Sequence, residues 1–337
     1  MKAVALTRYL PIDDAQSLVD VELPQPQPRG HDLLVRVAAV SINPVDAKVR
    51  APKAQVESAP KVLGYDAAGV VEAVGDAVTL FKPGDAVFYA GDLTRPGTNA
   101  QFHLADERIV GAKPRTLDFA HAATVPLTAL TAWELLFERF GFDPDGASRG
   151  RTVLIVAGAG GLGSIAIQFA RRAQLTVIAT ASRAESIQWC RQMGADHVID
   201  HRQPLRAQLE AIGLQHVDAI GSFSSPEPYW TQYADVVAPQ GKIGVLTTLQ
   251  GPLDMNLLKN KSASVHWEFM FTRAMYTTPD IIRQHQILTR VAELIDRGEL
   301  KSTLTRTLGP ISAATLREAH RLIESGSTIG KIAITGW

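Results

Sequence analysis

The chain has 337 residues, with 34 basic side chains against 34 acidic ones, 46% hydrophobic residues and one cysteine. At roughly 100–200 residues per domain this length predicts two domains, and the apolar content with 20% charged residues excludes a disordered chain. Balanced charge leaves no surplus of Lys or Arg for phosphates, which argues against nucleic acid as a partner, and a lone cysteine excludes an internal disulfide or a multi-cysteine zinc lobe.

The opening residues, Met1 to Asp14, hold no apolar stretch of signal-peptide length. Together with the cysteine usage this predicts a cytoplasmic protein. The first ~120 residues read as β-rich, because short apolar runs at 33–40, 69–74 and 86–90 alternate with turn formers such as Asn43-Pro44 and Pro83-Gly84-Asp85. Residues 120–140 take helical spacing, broken at Pro126. From Arg151 the rhythm changes. Strands are predicted at 152–156, 176–180, 197–199, 217–221 and 242–246, with helices at 164–173, 186–193, 205–212 and 229–237 between them. Such alternation implies parallel strands with helices on both faces. An amphipathic helix over 281–297, a strand at 302–307, a helix at 313–324 and a strand at 330–335 finish the chain. Residues 152–170 are uncharged, but the glycines in their middle suit a strand, loop and helix rather than a membrane span.

That glycine loop is the strongest motif. Thr152 to Ala157 reads as a buried strand. It leads into Gly158-Ala-Gly160-Gly161-Leu162-Gly163 and then a helix, with a second strand about 15 residues later. One glycine makes the turn, one lets the backbone approach a pyrophosphate, and one permits close helix–strand packing. The phosphates of a dinucleotide would sit at the helix N-terminus.

Several segments together resemble the medium-chain dehydrogenase/reductase superfamily, in its quinone oxidoreductase (zeta-crystallin-like) branch. They are Ser41-Ile-Asn-Pro-Val-Asp46, Gly64-Tyr-Asp-Ala-Ala-Gly69, Phe81-Lys-Pro-Gly-Asp85, Pro126-Leu-Thr-Ala-Leu-Thr-Ala-Trp133, the glycine loop, and Gly194-Ala-Asp-His-Val-Ile-Asp200. A subgroup labelled zinc-type alcohol dehydrogenase-like is similar also at Tyr89-Ala-Gly-Asp92 and His266-Trp-Glu-Phe-Met-Phe271. The resemblance implies an α/β fold: a GroES-like β-rich catalytic domain over 1–124 and 275–337, and an inserted Rossmann doubly wound parallel-sheet domain over 125–274. It also implies a cleft between them for cofactor and substrate.

Zinc-dependent relatives place a cysteine at the start of the segment matched by Asn43 to Asp46. They place a histidine and a glutamate after the glycine matched by Gly64, and a third ligand near Leu127. None of those ligands is present, and Cys190 lies on a predicted helix, so no metal is expected. Without a Lewis acid, quinones and α,β-unsaturated carbonyls are the expected hydride acceptors rather than simple alcohols. The resemblance implies that Asn43 faces the substrate and could donate to a carbonyl, that Asp46 ends the same turn, and that Tyr65 could protonate the developing oxygen. Turn formation by Asn43-Pro44 and helix capping by Asp46 are the plain alternatives. Lys48 stands where this branch often carries a tyrosine. Pocket shape would depend on loops at 50–61 and 91–99. On the cofactor side the resemblance implies Thr128 and Thr131 beside the nicotinamide, with plain helix-start threonines as the alternative, and a near-terminal lysine, Lys331. Phe223, Leu246, Phe269 and Phe271 end strands on the side where open sheets bind ligands, with core packing as their alternative.

NADPH is the expected cofactor. An NAD site places Asp or Glu at the end of the second strand to accept from the ribose 2′-hydroxyl. Positions 180–182 carry no carboxylate, whereas Ser182 offers a hydroxyl and Arg183 a fork of donors suited to a phosphate. His201 matches a position where relatives put a tyrosine against that phosphate. The segment 263–270 could supply the edge strand of a homodimer, as relatives do. Zinc-type alcohol dehydrogenase and a non-catalytic, crystallin-like NADPH-binding protein remain the other readings.

Overall fold

A computed structural model describes residues 1–337. The first part runs β1 (Lys2–Tyr9), β2 (Val19–Glu22), β3 (Asp32–Ser41), α1 (Pro44–Arg50), β4 (Lys53–Val62), β5 (Ala67–Val74), β6 (Ala86–Tyr89), β7 (Phe102–Asp106) and β8 (Val110–Ala112). Two helices follow, α2 (Phe119–Ala123) and α3 (Pro126–Trp133), the latter entered through a proline at its first turn and continued by a π-helical turn over Glu134–Arg139. Then come β9 (Thr152–Val156), α4 (Gly161–Arg172), β10 (Thr176–Thr180), α5 (Ala184–Met193), β11 (His197–Ile199), α6 (Leu205–Ala211) and β12 (Val217–Ser222). The chain continues with α7 (Trp230–Val236), β13 (Val237–Val245), α8 (Asn256–Lys259) and β14 (Ser264–Trp267). It closes with α9 (Thr272–Met275), α10 (Arg283–Asp296), β15 (Leu304–Leu308), α11 (Ala313–Glu324) and β16 (Lys331–Thr335).

These elements form two units, Met1–Leu130 with Phe271–Trp337, and Thr131–Met270. In the first unit β3 is the centre of a seven-stranded sheet, pairing antiparallel with β5, β7 and β16. Its inward residues Leu33, Val35 and Val37 pack with Val71, Val87, Leu316 and Ile332 into one core. A smaller sheet, β2-β1-β4, lies beside it. The last strand therefore returns from the far end of the sequence to flank the segment that leads into α1.

In the second unit six parallel strands take the order β11-β10-β9-β12-β13-β14. Every residue of β9 is buried, as a central parallel strand covered on both faces requires. The chain runs outward in opposite directions from β9, and ligands bind such sheets at the carboxyl ends of the strands beside that reversal.

The α/β architecture matches the expectation. Two elements do not. Residues 50–61, read as a loop, overlap β4, whose side chains are mostly exposed. Lys53 to Glu57 alternates polar and apolar residues, but Val56 is exposed rather than in a core, so the alternation marks no buried face and pairing with β1 through two register shifts decides the strand. β13 starts five residues before the expected 242, across Pro239 and a Gln240 with φ of 61°. Turn-like residues masked a strand that bulges against β12. No helix is long and apolar enough to cross a membrane.

Candidate functional site

In the first unit, Asn43 caps α1 with extended backbone, and its amide N donates to Asp46 Oδ2 at 2.7 Å. The other Asp46 oxygen, Oδ1, is buried without a partner. Burial pushes the Asp46 carboxyl up to about 7, against the lowering pull of the Asn43 N–H and the Lys331 charge. The side-chain amide of Asn43, expected to face a carbonyl substrate, is engaged within the chain. Its Nδ2 donates to Asp66 Oδ2 at 2.7 Å, and its Oδ1 accepts from Lys331 Nζ at 2.6 Å.

Lys331, expected on the cofactor side, is engaged in the same way. Its ammonium donates to Ile42 O at 2.9 Å, Asn43 Oδ1 at 2.6 Å and Asp66 Oδ2 at 3.1 Å, with the side chain 3% exposed. All three ammonium protons are directed at acceptors inside the chain. Asp66 is the residue that sequence reasoning missed as a site component. One of its oxygens holds Asn43 and Lys331, and the other accepts from the Leu127 backbone N at 2.9 Å, which fixes the start of α3. Burial raises the Asp66 carboxyl and lowers the Lys331 ammonium, while each charge pulls the other back. The only sequence signal was an aspartate inside the apolar run 63–71.

Tyr65 is buried, with its ring edge-on to Phe271 at 5.6 Å and 77°. No hydrogen bond within the chain engages its hydroxyl. Burial raises the phenol above its ordinary value, and the charges of Asp46, Tyr9 and Asp92 add to that. It therefore keeps its proton at neutral pH and can donate it. Phe271, expected at a strand end on the cofactor side, stands at the N-cap of α9 in the first unit and packs on Tyr65. Thr128 is buried on α3 and its hydroxyl donates back to Val125 O at 3.1 Å, which leaves its oxygen as an acceptor only. Thr131 lies one turn further and is also buried.

The second unit holds the glycine loop. Ala157 ends β9 with φ of 59°, a left-handed conformation costly for a residue with a side chain, and Gly158 N ties the loop to Thr180 O at 3.0 Å. A methyl at Gly158 would stand 2.8 Å from Ala179 Cβ and 3.1 Å from Cys190 Sγ. At Gly163 it would stand 2.5 Å from the Gly158 carbonyl, yet at Gly160 nothing lies closer than 3.6 Å. Gly158 and Gly163 thus serve packing, while Gly160 leaves open space over the backbone. The first amides of α4, on Gly161, Leu162 and Gly163, have no helical acceptor by position and form an anion cradle. These residues fit a dinucleotide pyrophosphate.

Further along the same sheet edge, Ser182 and Arg183 follow β10, with Arg183 exposed at the N-cap of α5. His201 follows β11 and sets its ring edge-on to Tyr229 at 6.3 Å. The sequence reading passed over its neighbour Arg202, whose Nη2 donates to Ser182 O at 3.0 Å. Phe223 and Leu246 stand just past the ends of β12 and β13, half-buried, with the Phe223 ring over Gly221. Phe269 lies two residues beyond β14 and is 45% exposed.

A zinc ion does not fit the first unit. Of the three positions at which zinc enzymes hold their metal, Asn43 is tied to Asp66 and Lys331, Tyr65 is a phenol packed on Phe271, and Leu127 offers only a backbone N–H. The chain's own ammonium, on Lys331, sits among these donors, and no three His, Cys, Asp or Glu side chains converge on a metal position.

Comparisons with known proteins bear on both units. Residues 29–126 match the family model described as alcohol dehydrogenase GroES-like domain, and residues 193–334 match that of zinc-binding dehydrogenase. A zinc-type alcohol dehydrogenase-like protein of Staphylococcus epidermidis is 38% identical over 335 residues, 99% of each chain. A chloroplastic quinone-oxidoreductase homolog of Spinacia oleracea is 28% identical over 99% of this chain and 98% of its own. The crystal structure of a putative zinc-dependent alcohol dehydrogenase from Rhizobium etli superposes with a TM-score of 0.95 at 51% identity, over 100% of this chain and 98% of that one.

Proposed function

The chain belongs to the medium-chain dehydrogenase/reductase superfamily of oxidoreductases, and from that premise we propose that it is an NADPH-dependent reductase of quinones or α,β-unsaturated carbonyls that works without a catalytic metal. The observation that carries this reading is Tyr65. A protonated hydroxyl without a partner in the chain stands at the position where zinc enzymes hold a metal-ligating histidine.

Reduced nicotinamide, when bound, supplies hydride. The residues to hold its dinucleotide are the α4 cradle for the pyrophosphate and Ser182, Arg183 and His201 for the adenosine ribose phosphate. Tyr65 donates its proton to the oxygen on which negative charge develops. Asp46, buried with its carboxyl at about 7, adds negative charge that opposes Tyr65 ionisation, so the phenol stays protonated as a hydrogen-bond donor. The Asn43–Asp66–Lys331 cluster holds α1 and the start of α3 at fixed separation. An alcohol, whose oxygen must lose a proton before hydride leaves, gains nothing from a hydrogen-bond donor here, whereas an enone or quinone does. The relative named a quinone-oxidoreductase homolog accords with that substrate class.

Loss of NADPH absorbance against a panel of quinones and enones, in metal-free and in zinc-supplemented buffer, tests the reading. Turnover in both is expected. Turnover only with zinc, or only with alcohols and NADP⁺, overturns it and favours the zinc-type reading that the names of the relatives suggest. Saturable NADPH binding with no turnover on any member favours a binding protein. A homodimer is part of the proposal, since β14 leaves one edge of the sheet unpaired and Trp267 is 56% exposed upon it. Light scattering at micromolar concentration should give twice the 36.4 kDa chain mass.

A further inference from the structure

At the carboxyl edge of the six-stranded sheet, a second guanidinium reaches the turn that carries Arg183. Arg202 donates through Nη2 to the Ser182 carbonyl at 3.0 Å, tying the turn after β11 to the turn after β10. Its Nε and Nη2 also grip Asp200, at 3.0 Å to Oδ1 and 2.7 Å to Oδ2, and its backbone N donates to Oδ1 at 2.9 Å. A guanidinium has five N–H bonds. Those on Nε and Nη2 are engaged, while neither on Nη1 has a partner in the chain, and the side chain is 61% exposed.

Asp200 gives this arrangement its consequence. A bare carboxylate beside the second strand of such a sheet accepts from an unesterified ribose 2′-hydroxyl and repels a 2′-phosphate. Here the carboxylate is not bare. Hydrogen bonds from Arg202 hold its carboxyl down at about 2, so it stays ionised and paired over the whole neutral range. Position 200 lies one strand further than the sites at which an NAD-selecting acid is normally sought, which is why Ser182 and Arg183 alone leave the selectivity unexplained.

We propose that the Asp200–Arg202 pair is a specificity-determining element for the cofactor: Arg202 cancels the Asp200 charge and, through Nη1, adds a donor to the 2′-phosphate held by Ser182 and Arg183. This rests on the reading of the cofactor as NADPH. It differs from a role for Arg183 alone, because it makes the effect of Arg202 depend on Asp200. Removing the arginine exposes the carboxylate as well as losing a donor. Removing both removes the repulsion.

Calorimetric titration of the full chain with adenosine 2′,5′-bisphosphate and with 5′-AMP tests this without any substrate. Wild type should bind the bisphosphate more tightly. Arg202→Ala should weaken it by about tenfold or more while leaving 5′-AMP within about twofold. The double variant Arg202→Ala with Asp200→Asn should recover part of the loss, and Arg202→Lys should fall between wild type and Arg202→Ala. Unchanged 5′-AMP binding and circular dichroism serve as the folding control. If wild type and Arg183→Ala behave as an NADPH site predicts but Arg202→Ala changes neither ligand, or both equally, the inference is overturned and the NADPH reading stands. If wild type shows no preference for the 2′-phosphate, both fall.

Discussion

In the first unit a carboxylate, an amide and an ammonium are sealed from water; the amide donates to the carboxylate, and the ammonium donates to both. In the second, backbone amides and the Arg202 guanidinium stand at a solvated sheet edge with donors that nothing in the chain accepts. The first arrangement is built for position: Asp66 joins the start of α1, the start of α3 and the last strand through one carboxylate. On the proposed reading the second suits exchange, since a cofactor that must leave after each turnover is held best by groups whose solvation costs little to restore. The physical difference is burial. Charge inside a protein is expensive unless paired, so the cluster tolerates little change, whereas edge residues can be altered singly with local effect.

The sharpest way to break this contrast is Asp66→Ala. It leaves the Lys331 ammonium buried without a counter-charge and the Leu127 N–H without its acceptor, and should destabilise the fold by about 3–5 kcal/mol in urea denaturation. A change under about 1 kcal/mol would show that the cluster is open to water. Tyr65→Phe comes next. It removes no hydrogen bond within the chain, so stability should stay within about 0.5 kcal/mol. Turnover with a quinone or enone should fall by about 100-fold, with NADPH affinity unchanged. Full activity in that variant would take Tyr65 out of the chemistry.

A pH series sharpens the comparison from the buried side. The folded Asp46 carboxyl, at about 7, lies above the unfolded value of about 4, so the folded chain retains a proton that the unfolded chain has lost. Its stability contribution is fully present below about pH 4 and is lost as pH rises to about 7, by up to about 1.4 kcal/mol per pH unit. Asp46→Asn, which keeps an oxygen for the Asn43 N–H, should flatten that slope when denaturation is compared between about pH 5 and pH 8. Equal slopes would mean that Asp46 stays ionised. The smallest effect belongs to the open side. Gly160→Ala meets nothing closer than 3.6 Å and should fold normally, but its methyl occupies the approach to the cradle and should weaken NADPH binding by about tenfold. Unaltered affinity would place the pyrophosphate elsewhere.

Much of the parallel-sheet unit could be read from the chain, because its information is local. An uninterrupted run such as Thr152 to Val156 needs burial on both faces, the glycine at 163 is demanded by contacts within the same strand–loop–helix, and the helical periodicities of 164–173 and 186–193 lie in contiguous residues, whereas the demand for Gly158 comes from Ala179 and Cys190 on the next strand and helix. Residue chemistry also predicted the absence of zinc donors at 43, 65 and 127 and of a carboxylate at 180–182. The partners of those residues were decided only by tertiary structure. Lys331 reads as a lone near-terminal lysine until β16 pairs with β3 and carries its ammonium to residues 288 and 265 positions earlier. Arg202 reads as one of many surface arginines until β11 lies beside β10 and brings it to Ser182. β4 buries no apolar face, since Val56 is exposed, and exists because β1 supplies its hydrogen bonds. A sequence displays what each residue can donate, accept or bury; sheet pairing between distant segments determines which donor meets which acceptor, and in this chain that pairing separates a buried positioning cluster from an open binding edge.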